Sequence, residues 1–380
     1  MSVTPPSTSA ARVTAFISIA TAATHSTPAC RPISSISTSP LSNSSPWRIA
    51  CYSSALEELF AQDVSHLAQN PPERTNTSVN RFTLREILLA GLEGAAYFGK
   101  TFTHYRQEIN GTVTAHFEDG TRATGDLLIA ADGANSLIRA QLLPEAKLDD
   151  TGLRCLYGRT LISQSLKEVL PQVFSNAFSA VAGNENCTMA LARYAKRRSF
   201  EDALRELAPD LRLTPVDDYL MWALVSHASN LPLNDEQLRA ATPEELHAVV
   251  SGCIAEWHPA LRKMIAEADV PATFPVQIRS AQPVEPWPTT NVTLLGDAIH
   301  TMTPAAGIGA NTALRDAELL SQKLAEVSHG EKPLLSALHE YETAMLRYGF
   351  EAVRHSLQQL RGLYKNLLPA EQTVESGGAQ

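Results

Sequence analysis

Residues 294–320 read LLGDAIHTMTPAAGIGANTALRDAELL. Gly296 and Asp297 end an apolar run, Pro304 follows, and Gly307 and Gly309 open a long helical pattern that passes through Asn311. A carboxylate at the end of a buried strand can accept hydrogen bonds from ligand hydroxyls, and ligands gather at the carboxyl ends of parallel strands. Glycines without side chains let backbone amides approach a flat or anionic group. The helix that begins there adds unpaired N–H groups and a partial positive charge. Together these suit a large polar ligand; the rival reading is a plain structural turn.

A second cluster stands in Asp132-Gly133-Ala134-Asn135-Ser136-Leu137-Ile138-Arg139, directly after the apolar run DLLIAADG. Asp132 and Arg139 read as site residues, with a buried ion pair at a strand end as the alternative. Arg81 precedes a helix on a loop, where its guanidinium can reach a ligand. His300 reads as a packed, hydrogen-bonded histidine rather than a proton-transfer group. The Arg193, Lys196, Arg197 and Arg198 cluster reads as a solvated face. Trp222 is either core or the wall of a pocket.

The elements that must carry these residues follow from pattern. ALEELFAQ (55–62) has helical character, and NPPERTNTS breaks the chain. Thr83 and Glu86 form a T-x-x-E box ahead of a helix whose Leu84, Ile87, Leu88 and Leu92 share a face. TFTHYRQEI and TVTAHF flank Asn110-Gly111, a strong hairpin signal. A turn at Glu118-Asp119-Gly120 leads to DLLIAADG, which lacks alternation and so reads as a strand covered on both faces. SAVAGNENCTMALARY and DDYLMWALVSH are strand-like. Thr242-Pro243 starts a helix that His258-Pro259 disturbs. NVTLLGD is a further buried strand, 309–327 is helix, and a last helix spans about 333–364.

The chain of 380 residues carries a formal net charge of -9, which argues against nucleic acid as a main partner. No run is long enough for stable membrane insertion, the best being VTAFISIATAA near the start. Five scattered cysteines form no C-x-x-C pair, no disulfide frame and no metal site, which suits a reducing, cytoplasmic setting. Residues 1–50 are rich in Ser, Thr, Pro and Ala and contain no acid. They read as a disordered tail, with organellar targeting as the alternative.

The two long motifs, G-D-A-x-H-x-x-x-P-x-x-G-x-G-x-N-x-x-x-x-D-A and D-G-x-x-S-x-x-R, resemble those of the FAD-dependent aromatic hydroxylases, the group A flavoprotein monooxygenases. The resemblance covers about 75–365. It implies that Asp297 binds the ribityl chain and pyrophosphate, with Gly296 in the same turn, and that Pro304 to Asn311, through Gly307 and Gly309, faces the flavin ring at its N1–C2=O edge. It further implies that Asp132 and Arg139 support FAD and NAD(P)H use, and that Arg81 reaches the flavin. The implied fold is α/β: a discontinuous, incomplete Rossmann-like FAD-binding lobe (51–155 and 276–330), an inserted mixed-sheet substrate lobe (156–275) and a C-terminal helix (331–368). The implied activity is NAD(P)H-dependent hydroxylation of a small aromatic or polycyclic substrate by O2 through a C4a-hydroperoxyflavin. The cofactor carries that chemistry, so no side chain is named as catalytic. The family opens with G-x-G-x-x-G, and residues 1–80 contain none. From that departure weak FAD binding is expected, and the alternative reading is a non-catalytic truncated relative that does not retain FAD.

Overall fold

The computed structural model describes residues 48–63, 79–174, 176, 178–183, 187–196 and 199–367. The tail over 1–47, the break at 70–78 and Arg197 and Arg198 lie outside them. The described residues divide into two compact units: 92–151 with 279–363, and 48–63 and 79–91 with 152–278 and 364–367. Each is discontinuous, and each mixes helices with strands.

The described chain opens as β1 (Arg48–Ser53) and β2 (Glu58–Asp63), an antiparallel hairpin. The helical expectation for 55–62 is therefore wrong, and order is already present at 48 rather than after residue 50. Leu56 takes a left-handed φ of 64° in the turn, which fixes a hairpin where periodicity alone suggested a helix. Moreover, β1 pairs in parallel with a strand near 180, so 51–63 belongs to the second unit's sheet and not to the lobe carrying the glycine turn. Helix α1 (Arg81–Leu89) is capped by Asn80, whose Oδ1 accepts from the amides of Phe82 and Thr83. Asn is as good a cap as Thr, so the expected Thr83–Glu86 box is not used. Thr83 is buried, and Glu86 instead accepts from the Thr214 amide at 2.9 Å. Arg81 is thus the first helical residue, not a loop residue.

In the first unit β3 (Phe102–Gln107), β4 (Val113–Phe117) and β5 (Arg122–Gly125) form an antiparallel sheet around the Asn110-Gly111 hairpin. The strand β5, which the sequence reading passed over, is too polar to show a pattern. Next come β6 (Leu128–Ala130), α2 (Leu137–Leu142) and the long β7 (Leu148–Leu161), also unforeseen, which passes into the second unit at Gly152.

Within the second unit α3 (Gln164–Val169) and α4 (Pro171–Phe174) precede the hairpin of β8 (Phe178–Ala182) and β9 (Cys187–Tyr194). Then follow α5 (Phe200–Leu207), β10 (Tyr219–His227), α6 (Asp235–Ala240), α7 (Pro243–Cys253), α8 (Pro259–Ala266) and β11 (Phe274–Ala281). The sheet runs β11-β7-β10-β9-β8-β1-β2. Alternation sends Leu156, Leu191, Leu220, Trp222 and Leu224 into a core with Val250, Trp257, Leu261 and Met264 of α7, its C-terminal turn and α8. Trp222 is therefore core. Gly158 lies under its ring, where a Cβ would collide.

The chain ends in the first unit with β12 (Val292–Leu294), α9 (Asp297–His300), α10 (Gly309–Ser328) and α11 (Leu334–Leu363). The strands β12 and β6 pair in parallel, with Leu294 beside Ala130. All six of their residues are buried, as a strand without alternation requires. Tyr341, Met345 and Tyr348 of α11 pack on the same core as β6 and β12.

Candidate functional site

Because β6 and β12 run side by side in the same direction, their carboxyl ends deliver the two motifs to one place. Asp132 follows Ala130 by two residues, and Gly296 follows Leu294 by two. Gly296 has φ 61° and ψ -138°, a conformation confined to glycine, and a Cβ on it would stand 3.0 Å from the Ala313 Cβ. The turn it makes launches α9 with Asp297 as its first residue. Asp297 is exposed although it follows a buried strand, because the strand stops at Leu294 and the turn directs Asp297 outward.

After α9, Pro304 begins a single 3₁₀ turn that Gly307 closes in the left-handed conformation, φ 65°. Nothing lies within 4 Å of where a Gly307 Cβ would be, so space is open above that backbone. From Gly309 onwards α10 starts without a side-chain cap at Ile308 and without an acid in its first turn. Its leading amides therefore keep their positive end for something else. Asn311 is exposed on that first turn.

The D-G-x-x-S-x-x-R stretch folds into the cap of α2. Ser136 accepts from the Arg139 amide at 2.9 Å, and Asp132 Oδ2 accepts from the Leu137 amide at 3.2 Å. Asp132 Oδ1 is buried with no hydrogen-bond partner among the described residues. Arg139 is buried, yet the pair it makes is with carbonyls and not with Asp132. Its Nη1 donates to Ala298 O at 2.9 Å and its Nη2 to Ala134 O at 2.9 Å. That bolts the second motif onto α9. Burial pulls the Arg139 guanidinium below its ordinary value, the nearby Asp132 carboxylate opposes that, and Arg279 adds to it. Arg279, which sequence reasoning missed, donates from Nη2 to Asn135 Oδ1 at 2.8 Å.

His300 is fully buried and hydrogen-bonded, as read: its Nε2 lies 2.6 Å from Asp316 Oδ2. Gly349 of α11 makes room for it, since a Cβ there would sit 2.6 Å from the His300 Cδ2. Asp316 and Tyr348 were not picked out from the sequence. For Asp316 the signal was present in the motif's closing D-A; for Tyr348 there was none. Arg81 opens α1 in the second unit, whereas Asp132, Arg139, Gly296, Asp297, Pro304, Gly307, Gly309 and Asn311 all stand in the first. In the basic cluster Lys196 donates to Val216 O at 2.7 Å and lies near Asp217 and Asp218, so its charge is already matched.

The donor set fits the ring and ribityl side of a flavin: an outward carboxylate, an orphaned carboxylate oxygen, open space over a left-handed glycine and an uncapped helix start. Among the described residues no helix is long and apolar enough to cross a membrane, and no group of three or more His, Cys, Asp or Glu could hold a metal ion.

Comparison with known proteins agrees with that chemistry. A dual O-methyltransferase/FAD-dependent monooxygenase of Cercospora beticola is 33% identical over 289 residues, which cover 70% of this chain and 32% of that protein. An FAD-dependent urate hydroxylase of Klebsiella pneumoniae is 29% identical over 264 residues, covering 68% of this chain and 57% of that one. The chain thus spans about a third of the first relative and little more than half of the second. A crystal structure from Photorhabdus luminescens, described as an FAD-containing monooxygenase, superposes with a TM-score of 0.71 at 30% identity, covering 89% of this chain and 84% of that one. The family model for the FAD binding domain matches residues 84–356, which takes in both motifs, and the chain belongs to that family, the FAD-dependent aromatic hydroxylases.

Proposed function

We propose that this chain is the flavin-holding part of an NAD(P)H-dependent monooxygenase that hydroxylates a small aromatic or polycyclic substrate with O2. The observation that carries the reading is the turn from Gly296 to Asn311. It presents an exposed carboxylate, a left-handed glycine under open space and an uncapped helix N-terminus from one short stretch. Bound there, FAD would take electrons from NAD(P)H and supply the oxygen chemistry that amino-acid side chains lack.

The chain's own residues do the holding. Asp297 would accept hydrogen bonds from the hydroxyls of a bound flavin, and Asp132 Oδ1 would take a further donor. Amides from Gly307 to Asn311 would offer a bound flavin their positive end, which suits the negative charge of its reduced state. Arg139 keeps the two motifs in register through Ala298 and Ala134. In the second unit, the strand face opposite α7 and α8 carries the half-buried Tyr157 stacked at 5.5 Å on the exposed Phe274. An aromatic surface of that kind suits a flat ring, and urate, named for the Klebsiella relative, is one.

The test is FAD affinity by fluorescence quenching for the wild-type chain and Asp297→Ala, followed by NADPH oxidation with and without candidate phenols. Losing a charged acceptor should cost about 1.5–3 kcal/mol, or roughly a tenfold to hundredfold rise in Kd. The fold should be retained, since Asp297 is exposed. Equal affinities would remove Asp297 from the site and the reading with it.

A further inference from the structure

We propose that Asp316 is the positioning residue of the flavin turn: its buried carboxylate sets the direction in which Asp297 is presented. The inference rests on the flavin reading above.

Asp316 is fully buried on α10 and receives three donors. Its Oδ2 accepts from the Gly296 amide at 2.8 Å and from His300 Nε2–H at 2.6 Å, and its Oδ1 accepts from the Tyr348 hydroxyl at 2.6 Å. Gly296 is the residue before α9, and His300 is its last. One carboxylate therefore holds both ends of the four-residue helix whose first residue is Asp297. A helix of one turn cannot hold itself, because its nucleation cost is not repaid by so few internal bonds. The remaining ties act on the same turn: Thr301 Oγ1 donates to Asp297 O at 2.7 Å, and Arg139 reaches Ala298 O. The backbone of Asp297 is thereby fixed from several sides while its side chain stays exposed.

An apolar residue in place of a buried carboxylate would serve plain packing at lower desolvation cost. Three converging donors, two of them bracketing a ligand-facing residue, are what positioning requires. Tyr348 is itself held from the far side, with the Arg315 guanidinium 3.9 Å from its ring centroid, so the clamp extends through α11. An amide at 316 would match the carboxylate in shape, but with its N–H2 turned to the Tyr348 hydroxyl its uncharged oxygen would have to accept from both Gly296 and His300, which weakens both bonds. Asp316→Asn is thus a subtle substitution with a defined defect.

Two measurements decide it, on wild type, Asp316→Asn, Tyr348→Phe, Asp297→Ala and the Asp297→Ala/Asp316→Asn double variant. Amide hydrogen exchange on the flavin-free protein should show 296–301 exchanging at least tenfold faster in Asp316→Asn, with β3, β4 and β5 unchanged. Tyr348→Phe, which removes one donor and keeps the carboxylate, should shift the same amides by less. FAD titration should show Asp316→Asn at least tenfold weaker than wild type. The double variant should bind within about twofold of Asp297→Ala alone, since Asp316 acts through Asp297 and has nothing left to position. A merely structural Asp316 would give losses that multiply, and that result overturns the proposal. Unchanged exchange at 296–301 overturns it whatever the flavin data show. Failure of the wild type to bind FAD would sink the flavin reading instead, and the exchange data then decide the positioning alone.

Discussion

Gly296→Ala is the most informative single change in the fold. Two separate penalties meet at this position. The backbone stands at φ 61° and ψ -138°, where a side chain costs about 1–3 kcal/mol. The new methyl would also stand 3.0 Å from the Ala313 Cβ, a contact that must open, and overpacking of this kind costs about 1–3 kcal/mol. Together they should destabilise the first unit by about 3 kcal/mol or more. Gly307→Ala is the matched control: its φ is also left-handed, 65°, but nothing stands within 4 Å of the added methyl, so only the conformational cost of about 1–2 kcal/mol remains. Urea unfolding followed by pulsed hydrogen exchange in β12 and α10 reads the first unit by itself. Gly296→Ala/Ala313→Gly should regain the contact part and leave the conformational part. A Gly296→Ala loss no larger than that of Gly307→Ala, or a complete rescue by Ala313→Gly, would refute the two-penalty account.

Arg139→Lys should lose most of what Arg139→Ala loses, because an ammonium cannot bridge Ala134 O and Ala298 O as the guanidinium fork does; about 1.5–3 kcal/mol is expected by urea unfolding, and wild-type stability in the Lys variant would count against the bridge. Glu342 is buried under the Thr289 and Thr293 hydroxyls, and burial lifts its carboxyl above the ordinary 4.5. A raised folded value means the folded chain holds the proton longer than the unfolded one, so this group's contribution falls as pH rises from 4.5 through the lifted value. Glu342→Gln should therefore flatten that part of a stability–pH curve; a curve of unchanged shape would show that the shift is absent.

Local patterns with one dominant cause were readable from the sequence. The Asn110-Gly111 hairpin, the Thr242-Pro243 helix start and the buried strands in DLLIAADG and NVTLLGD all follow from short-range chemistry, and the structure contains each. What failed depended on distant partners. ALEELFAQ has helical spacing, but a left-handed Leu56 and pairing with 48–53 make it a strand. Thr83 looked like a cap, yet Asn80 is the cap and Glu86 is taken by Thr214, far along the chain. Asp297 lay in a legible motif, but its exposure depends on where β12 stops. Tyr348 joins the site through a hydroxyl contact across helices, and no spacing rule reports that.

The C-terminal helix α11 touches the glycine turn at successive heights: Tyr341 on Leu294 O, Tyr348 on Asp316, Gly349 under His300, and Ser356 on Thr303. The three hydrogen-bonded contacts among these join residues 47, 32 and 53 positions apart along the chain. Such separations delay contact formation, because the loop must close before any bond rewards it. During synthesis the motif at 294–320 would leave the ribosome well before its splint does. Its shape is therefore acquired late, and a nascent chain halted before residue 341 would carry the motif's letters without its geometry.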